Sequence, residues 1–317
     1  MPTRSSLSKM EKSILIKVSV CLLLLLSLQA NAFQIDLEGS LQHQNTDFEQ
    51  NNTSVNIVGL GLKQIISDDK GDRLQLFLKT EAEDNFKEIN LSQLYAKYKG
   101  PMGKWNLTLG RSIIPFGLIT DYDSEFLILK TQEKKTIGFK TTDGLKLSGF
   151  WKQIDYEIQL SPGKWSEHSN KISEDKMASL KLSHKGYDVE DWQLGFSVLA
   201  GEFADVEKSL ASVDITKFKG LLVSRNEFVI GREADEYLYS LFAGIDYSVL
   251  PSVDMNMAYT FLKTEYKEHT AFLGFSYNTP FYGFVLRAGN KYTFKDNTGE
   301  DTNEIFIQIY NRFSHFF

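Results

Sequence analysis

Cysteine is all but missing from this chain of 317 residues: the single one, Cys21, lies in an apolar run near the N-terminus. That excludes a disulfide framework and a cysteine-based metal site. Long apolar runs are missing as well. After residue 32 no stretch of 18 or more apolar residues occurs, whereas a membrane-crossing helix needs about 20, so a helical membrane protein is excluded. Proline is scarce, at 6 residues, and apolar residues at helical spacing are almost absent. No phosphate-cradling glycine loop is present. Positive charge is in deficit: the formal net charge is −6, which argues against a nucleic-acid partner.

What is present begins with a leader. Arg4, Lys9, Lys12 and Lys17 precede the apolar stretch Val18–Leu28, and Ala30-Asn31-Ala32 supplies small residues where a signal peptidase reads them. The apolar core, near 11 residues, is too short to span a bilayer. Residues 1–32 are therefore expected to be a signal peptide, with a mature chain of residues 33–317 starting at Phe33. Removing the leader takes away four basic residues and one acid, which moves the net charge from −6 to −9.

The mature chain alternates at period two from end to end. Trp192, Leu194, Phe196, Val198 and Ala200 are apolar, with Gln193, Gly195, Ser197 and Gly201 between and beyond them. Val253, Met255, Met257, Tyr259 and Phe261 repeat the pattern against Asp254, Asn256, Ala258 and Thr260. A soluble sandwich also alternates. Three features favour a membrane barrel instead: strands of about 9 to 12 residues, aromatic residues at strand ends (Tyr98, Trp105, Trp151, Tyr247 and Tyr277), and polar faces of Gly, Ser, Asn, Gln, Lys and Arg that suit a wet lumen. The reading is an all-β, closed antiparallel transmembrane β-barrel of about 16 strands, with 14 or 18 as alternatives. The strands fall near 33–44, 53–67, 72–82, 89–99, 104–112, 143–151, 154–161, 176–184, 190–202, 207–217, 219–230, 236–248, 253–263, 269–278, 283–295 and 304–317.

The chain closes on Phe317, preceded by outward Phe313, Ile309, Ile307 and Ile305. A terminal aromatic on an alternating strand resembles the signal read by the barrel-insertion machinery, which makes Phe313 and Phe317 candidate assembly residues. The longest connection, 113–142, follows the fifth strand and opens with Gly110-Arg111-Ser112-Ile113-Ile114-Pro115-Phe116-Gly117. Here the sequence resembles the phosphate-selective porin O and P family, in which such a segment leads into an inward-folded third loop. The resemblance implies an outer-membrane porin, a homotrimer in contact with outer-membrane lipid and lipopolysaccharide, and no cofactor. The mature chain is acidic and lacks the dense basic ladder of the phosphate-selective branch.

A barrel of this size leaves an aqueous channel, and a 30-residue loop is the natural means of narrowing it. Arg111, Asp121, Asp123 and Glu125 are the candidate constriction residues. Arg73, Lys79, Lys97, Lys146, Arg287 and Arg312 are the candidate basic wall of the lumen, set against those acids to create a transverse field. Strict alternation points Arg111 at lipid, whereas a bulge at Gly110 re-aims it into the lumen; both orientations stay open. The alternative for the acids is a solvated loop.

Enzyme chemistry finds no footing. Glu167-His168-Ser169-Asn170-Lys171 is superficially similar to the nucleophile stretch of outer-membrane phospholipase A, but adjacent His and Ser point opposite ways on a strand and cannot form a nucleophile–base pair. The other histidines, His43, His184, His269 and His315, are scattered, and Asp68-Asp69 and Asp121/Asp123 fall short of a calcium ligand set. The expected function is a porin passing ions and small polar solutes; the runner-up is a non-conducting structural or adhesive barrel.

Overall fold

The structure, a computed structural model, describes residues 32–317 apart from 70, 84, 87, 120–135, 164, 167–170, 173–175, 186–191, 204–205, 282 and 297–300. The alternating stretches become long strands, in order β1 (Ala32–Thr46), β2 (Gln50–Asp68), β3 (Gly71–Glu83), β4 (Glu88–Lys99), β5 (Trp105–Ile113), β6 (Thr141–Trp151) and β7 (Ile154–Ser161). A short hairpin of β8 (Trp165–Ser166) and β9 (Lys171–Ile172) stands apart as its own sheet. The wall resumes with β10 (Met177–Lys185), β11 (Trp192–Phe203), β12 (Val206–Lys219), β13 (Leu222–Glu233) and β14 (Glu236–Leu250). It finishes with β15 (Val253–Lys263), β16 (Lys267–Asn278), β17 (Phe284–Lys295) and β18 (Thr302–Phe316).

Each wall strand pairs with its chain neighbour, β7 passing directly to β10, and β18 returns to β1 to close a barrel of sixteen strands. The closing register runs from Gln34↔Phe316 to Thr46↔Glu304. Phe33 and Phe317 extend it by exchanging backbone hydrogen bonds, N–H of Phe317 donating to Phe33 O at 2.8 Å and N–H of Phe33 to Phe317 O at 3.3 Å. Closure matters because a spanning sheet in lipid has no water to satisfy an open edge.

Hydrophobicity is inverted relative to a soluble sandwich. Leu109 is 64% exposed and Leu160 58%, while Gln159 and Ser197 are fully buried. The apolar alternates face out and the polar ones face the lumen, as lipid outside and water inside demand. Tyr98, Trp105, Trp151, Tyr247 and Tyr277 all lie exposed at the end of the barrel where the chain termini sit, the Tyr98 and Trp105 rings 5.6 Å apart. A second group, Tyr237, Tyr259, Tyr292 and Phe294, marks the opposite rim. Two belts on one barrel fit the two membrane–water interfaces.

Turns at the terminus-bearing end are tight. Lys152 takes φ 55 between β6 and β7, and Gly220 takes φ 58 between β12 and β13, a left-handed conformation that glycine adopts freely.

Candidate pore constriction

The segment after β5 leaves the wall and turns into the barrel. Its first residues are apolar, and Ile114, Phe116 and Leu118 are at most 1% exposed. Ile114 and Phe116, joined by Ile137 on the returning limb, pack on Met177, Leu199, Leu210, Val229, Leu238 and Leu262. Those six are lumen-side positions of β10 through β15, where a wet bore would be expected to carry polar residues. The segment thus lies against the inner side of β10 to β15 and buries its apolar face there. Leu118, in a 3-10 turn over Gly117–Ile119, continues the contact onto Phe242, Ala258, Phe272 and Phe306.

Polar clasps fix the backbone of the same segment. Lys181 Nζ donates to Gly117 O at 2.5 Å, and Gly117 N–H donates to Ser197 Oγ at 2.8 Å. Lys146 Nζ donates to Ile113 O at 3.0 Å. On the returning limb Lys208 Nζ reaches Ile137 O at 3.3 Å and Thr136 O at 3.4 Å, and pairs with Glu233 at 2.8 Å. Gly117 has φ +52, and a Cβ there would collide with the carboxylate of Glu227. Glu227 is itself held by Ser212 Oγ at 2.9 Å. A side chain at position 117 is therefore barred twice, by backbone conformation and by contact.

Among the described residues, paired charges stand on the lumen side of β1, β3, β17 and β18. Lys79 bridges Glu38 at 3.2 Å and Glu81 at 2.8 Å, and Tyr310 Oη donates to Glu38 at 2.8 Å. Arg312 stands 3.8 Å from Asp36. Arg287 donates to Gln308 Oε1 at 3.0 Å and lies 4.5 Å over the Tyr310 ring, and Lys291 pairs with Glu304 at 2.9 Å. Farther round, Arg225 pairs with Asp246, which also accepts from Asn256 Nδ2 at 2.6 Å.

Of the residues singled out in the sequence, Lys79, Lys97, Lys146, Arg287 and Arg312 stand on the lumen side; Lys97 and Lys146 flank Thr108 in one register row. Arg73 does not share that wall: it is the unpaired residue of an irregularity between β2 and β3 and bonds Asp68 at 2.7 Å beside the turn. Arg111 is 5% exposed, whereas Leu94 opposite it is 38% and Leu109 two places before it 64%. The ladder passes through Gly110 with no register shift. The charge of Arg111 is met by a two-point pair with Asp143, Nε–Oδ1 at 3.0 Å and Nη2–Oδ2 at 2.9 Å, and by Leu91 O at 2.9 Å. Asp121, Asp123 and Glu125 lie outside the described residues, as do His168, Ser169 and Asn170.

Periodicity missed Lys181, Ser197, Lys208, Glu227 and the lumen-side aliphatics. A signal existed: Val198-Leu199-Ala200 and Phe228-Val229-Ile230 are apolar on both faces, and a strand apolar on its wet side must be covered from within.

No family model matches the chain, and no curated protein matches it. Solved structures do. The trimer form of OmpT, an outer membrane protein of Vibrio cholerae, aligns with TM-score 0.67 at 12% identity over 89% of this chain and 99% of that one. An anion-selective porin from Comamonas acidovorans aligns with TM-score 0.66 at 11% identity, over 90% and 99%. The outer membrane channel DcaP of Acinetobacter baumannii aligns with TM-score 0.61 at 13% identity, over 91% and 99%. The chain is thus similar, along nearly its whole barrel, to outer-membrane porins and channels, and the shared property is the fold.

Proposed function

We propose that the protein is a porin: a water-filled channel in the outer membrane for passive diffusion of ions and small polar solutes, without enzymatic activity. One observation carries the reading. A segment leaves β5, enters a closed sixteen-stranded barrel and is pinned inside it by Lys181 of β10 and Ser197 of β11. A barrel of this circumference encloses an aqueous bore, and an internal segment anchored at one side narrows that bore and leaves the charged wall of β1–β3 and β17–β18 to line it. Pairing of the lumen cations with carboxylates favours weak selectivity over a phosphate-selective path.

Asp121, Asp123 and Glu125 sit, on this reading, at the narrowest point, continuing the segment past Leu118. The working form is a homotrimer in contact with lipid and lipopolysaccharide, folded by the barrel-insertion machinery through Phe313 and Phe317. The test is single-channel recording in planar bilayers with the purified, folded protein. Stepwise, salt-dependent conductance is expected; folded protein that inserts without conducting would overturn the proposal.

A further inference from the structure

We propose that the lumen carries a subsite for ring-bearing zwitterions, aromatic α-amino acids being the simplest, on the wall of β16, β17 and β18. The proposal rests on the channel reading above and narrows it to a class of solute.

Two observations meet at this wall. The first is a flat apolar platform. Phe272 on β16 and Phe306 on β18 are lumen-side and half-buried, with ring centroids 6.0 Å apart and planes 21° from parallel. They lie over Gly289 of the intervening strand, where a Cβ would come within 2.9 Å of Phe306 Cζ and 3.1 Å of Phe272 Cε2. Glycine thus lets both rings lie against the wall instead of standing into the bore. Leu118 of the inward segment and Phe242 pack against them, and the part of each ring that stays open is apolar surface that gains from being covered, best by another ring.

The second is an accessible ion pair next to the platform. Phe272 is directly opposite Lys291, and Lys291 directly opposite Glu304. The Lys291 and Glu304 side chains are 36% and 23% exposed, against 13% for Lys79 and 3% for the Arg287 residue. Opposed residues of one sheet face carry Cβ atoms about 4.5–5.5 Å apart, which is the reach of an amino acid from its charged groups to its ring. An α-amino acid brings a carboxylate for Lys291 Nζ and an ammonium for Glu304, and its ring covers Phe272 and Phe306. Solute and wall exchange ion pairs like for like, so no charge is stranded. A solute of one sign would strand one member of the pair, which is costly where water is restricted.

The test compares permeation of phenylalanine, leucine and 3-phenylpropionate through the folded protein in vesicles, with ion conductance measured on the same preparations. Size alone makes phenylalanine slower than leucine. The subsite is expected to make it about two- to tenfold faster at low concentration, with no such gain for 3-phenylpropionate. Phe272→Leu with Phe306→Leu keeps the apolar volume and the seat for Leu118 but removes the rings; the phenylalanine advantage should vanish while ion conductance persists. Lys291→Met with Glu304→Gln should leave phenylalanine and 3-phenylpropionate indistinguishable. Leu118→Ala loosens the segment and uncovers more of the two rings without removing them, so the advantage should remain. A phenylalanine-to-leucine ratio of one or less in the unaltered protein, or loss of the advantage in Leu118→Ala equal to that in the double leucine variant, would overturn the subsite alone. Absent ion conductance would overturn the channel reading with it.

Discussion

Replacing Lys181 with methionine isolates the role of the clasp on the inward segment. The side chain is 2% exposed and its ammonium donates to Gly117 O at 2.5 Å. A hydrogen bond from a charged donor contributes about 1.5–3 kcal/mol. The lumen is wet, so water can take over part of the carbonyl's demand, and the lower figure applies: about 1.5 kcal/mol, or roughly tenfold in the equilibrium between seated and released segment. The apolar anchors resist release. Ile114, Phe116 and Ile137 are each at most 1% exposed, and a fully buried aliphatic or aromatic side chain is worth about 1.5–3 kcal/mol. Lys181→Met should therefore increase brief excursions more than the mean: more open-channel noise and short steps to higher conductance, with the main level preserved. Adding Lys208→Met, which removes the contacts to Thr136 O and Ile137 O, should raise the mean conductance and lower ion selectivity. The strand ladder involves neither side chain, so the electrophoretic shift between folded and heated protein should not change. Noise and conductance indistinguishable from the unaltered protein in both variants would show that the clasp does not position the segment.

Other predictions concern the same path and its assembly. Gly117→Val places a branched side chain at φ +52 against Glu227; channels should form with altered conductance, and a wild-type trace would refute the clash. Deleting Phe317 removes the backbone exchange with Phe33 and should lower the yield of folded barrel more than it changes the conductance of barrels that do form, measured by heat-modifiable migration. Replacing Asp121, Asp123 and Glu125 with Asn, Asn and Gln should reduce cation preference, more at 0.01 M salt than at 1 M because the Debye length falls from about 30 Å to about 3 Å; unchanged reversal potentials at both salts would make these acids solvated loop residues.

Alternation made the barrel wall legible because the wall is what alternation describes. Stretches such as 154–161 and 253–263 match β7 and β15 residue for residue. The stretches 190–202 and 207–217 become β11 and β12, which pair from Phe203↔Val206 downward. The aromatic residues at strand ends were legible for the same reason: an interface selects them by depth, and depth follows position along a strand.

The interior was less legible, and Arg111 shows why. Period two assigns a face, and Gly110 was the one residue suited to break the assignment; its φ of +119 does fall where glycine is favoured. No residue is inserted, since the register Tyr95↔Gly110↔Gly144 is continuous, yet Arg111 is 5% exposed where Leu109 is 64%. One partner that buries its charge is Asp143, more than thirty residues away in sequence, and pattern reading along one strand cannot see across to another. The clasp has the same character. Lys181, Ser197 and Glu227 look like ordinary lumen residues on three strands, and only the arrival of Gly117 on the segment that follows β5 makes them a unit. Wall residues are therefore readable one strand at a time, whereas whatever narrows the bore is set by contacts between distant parts of the chain.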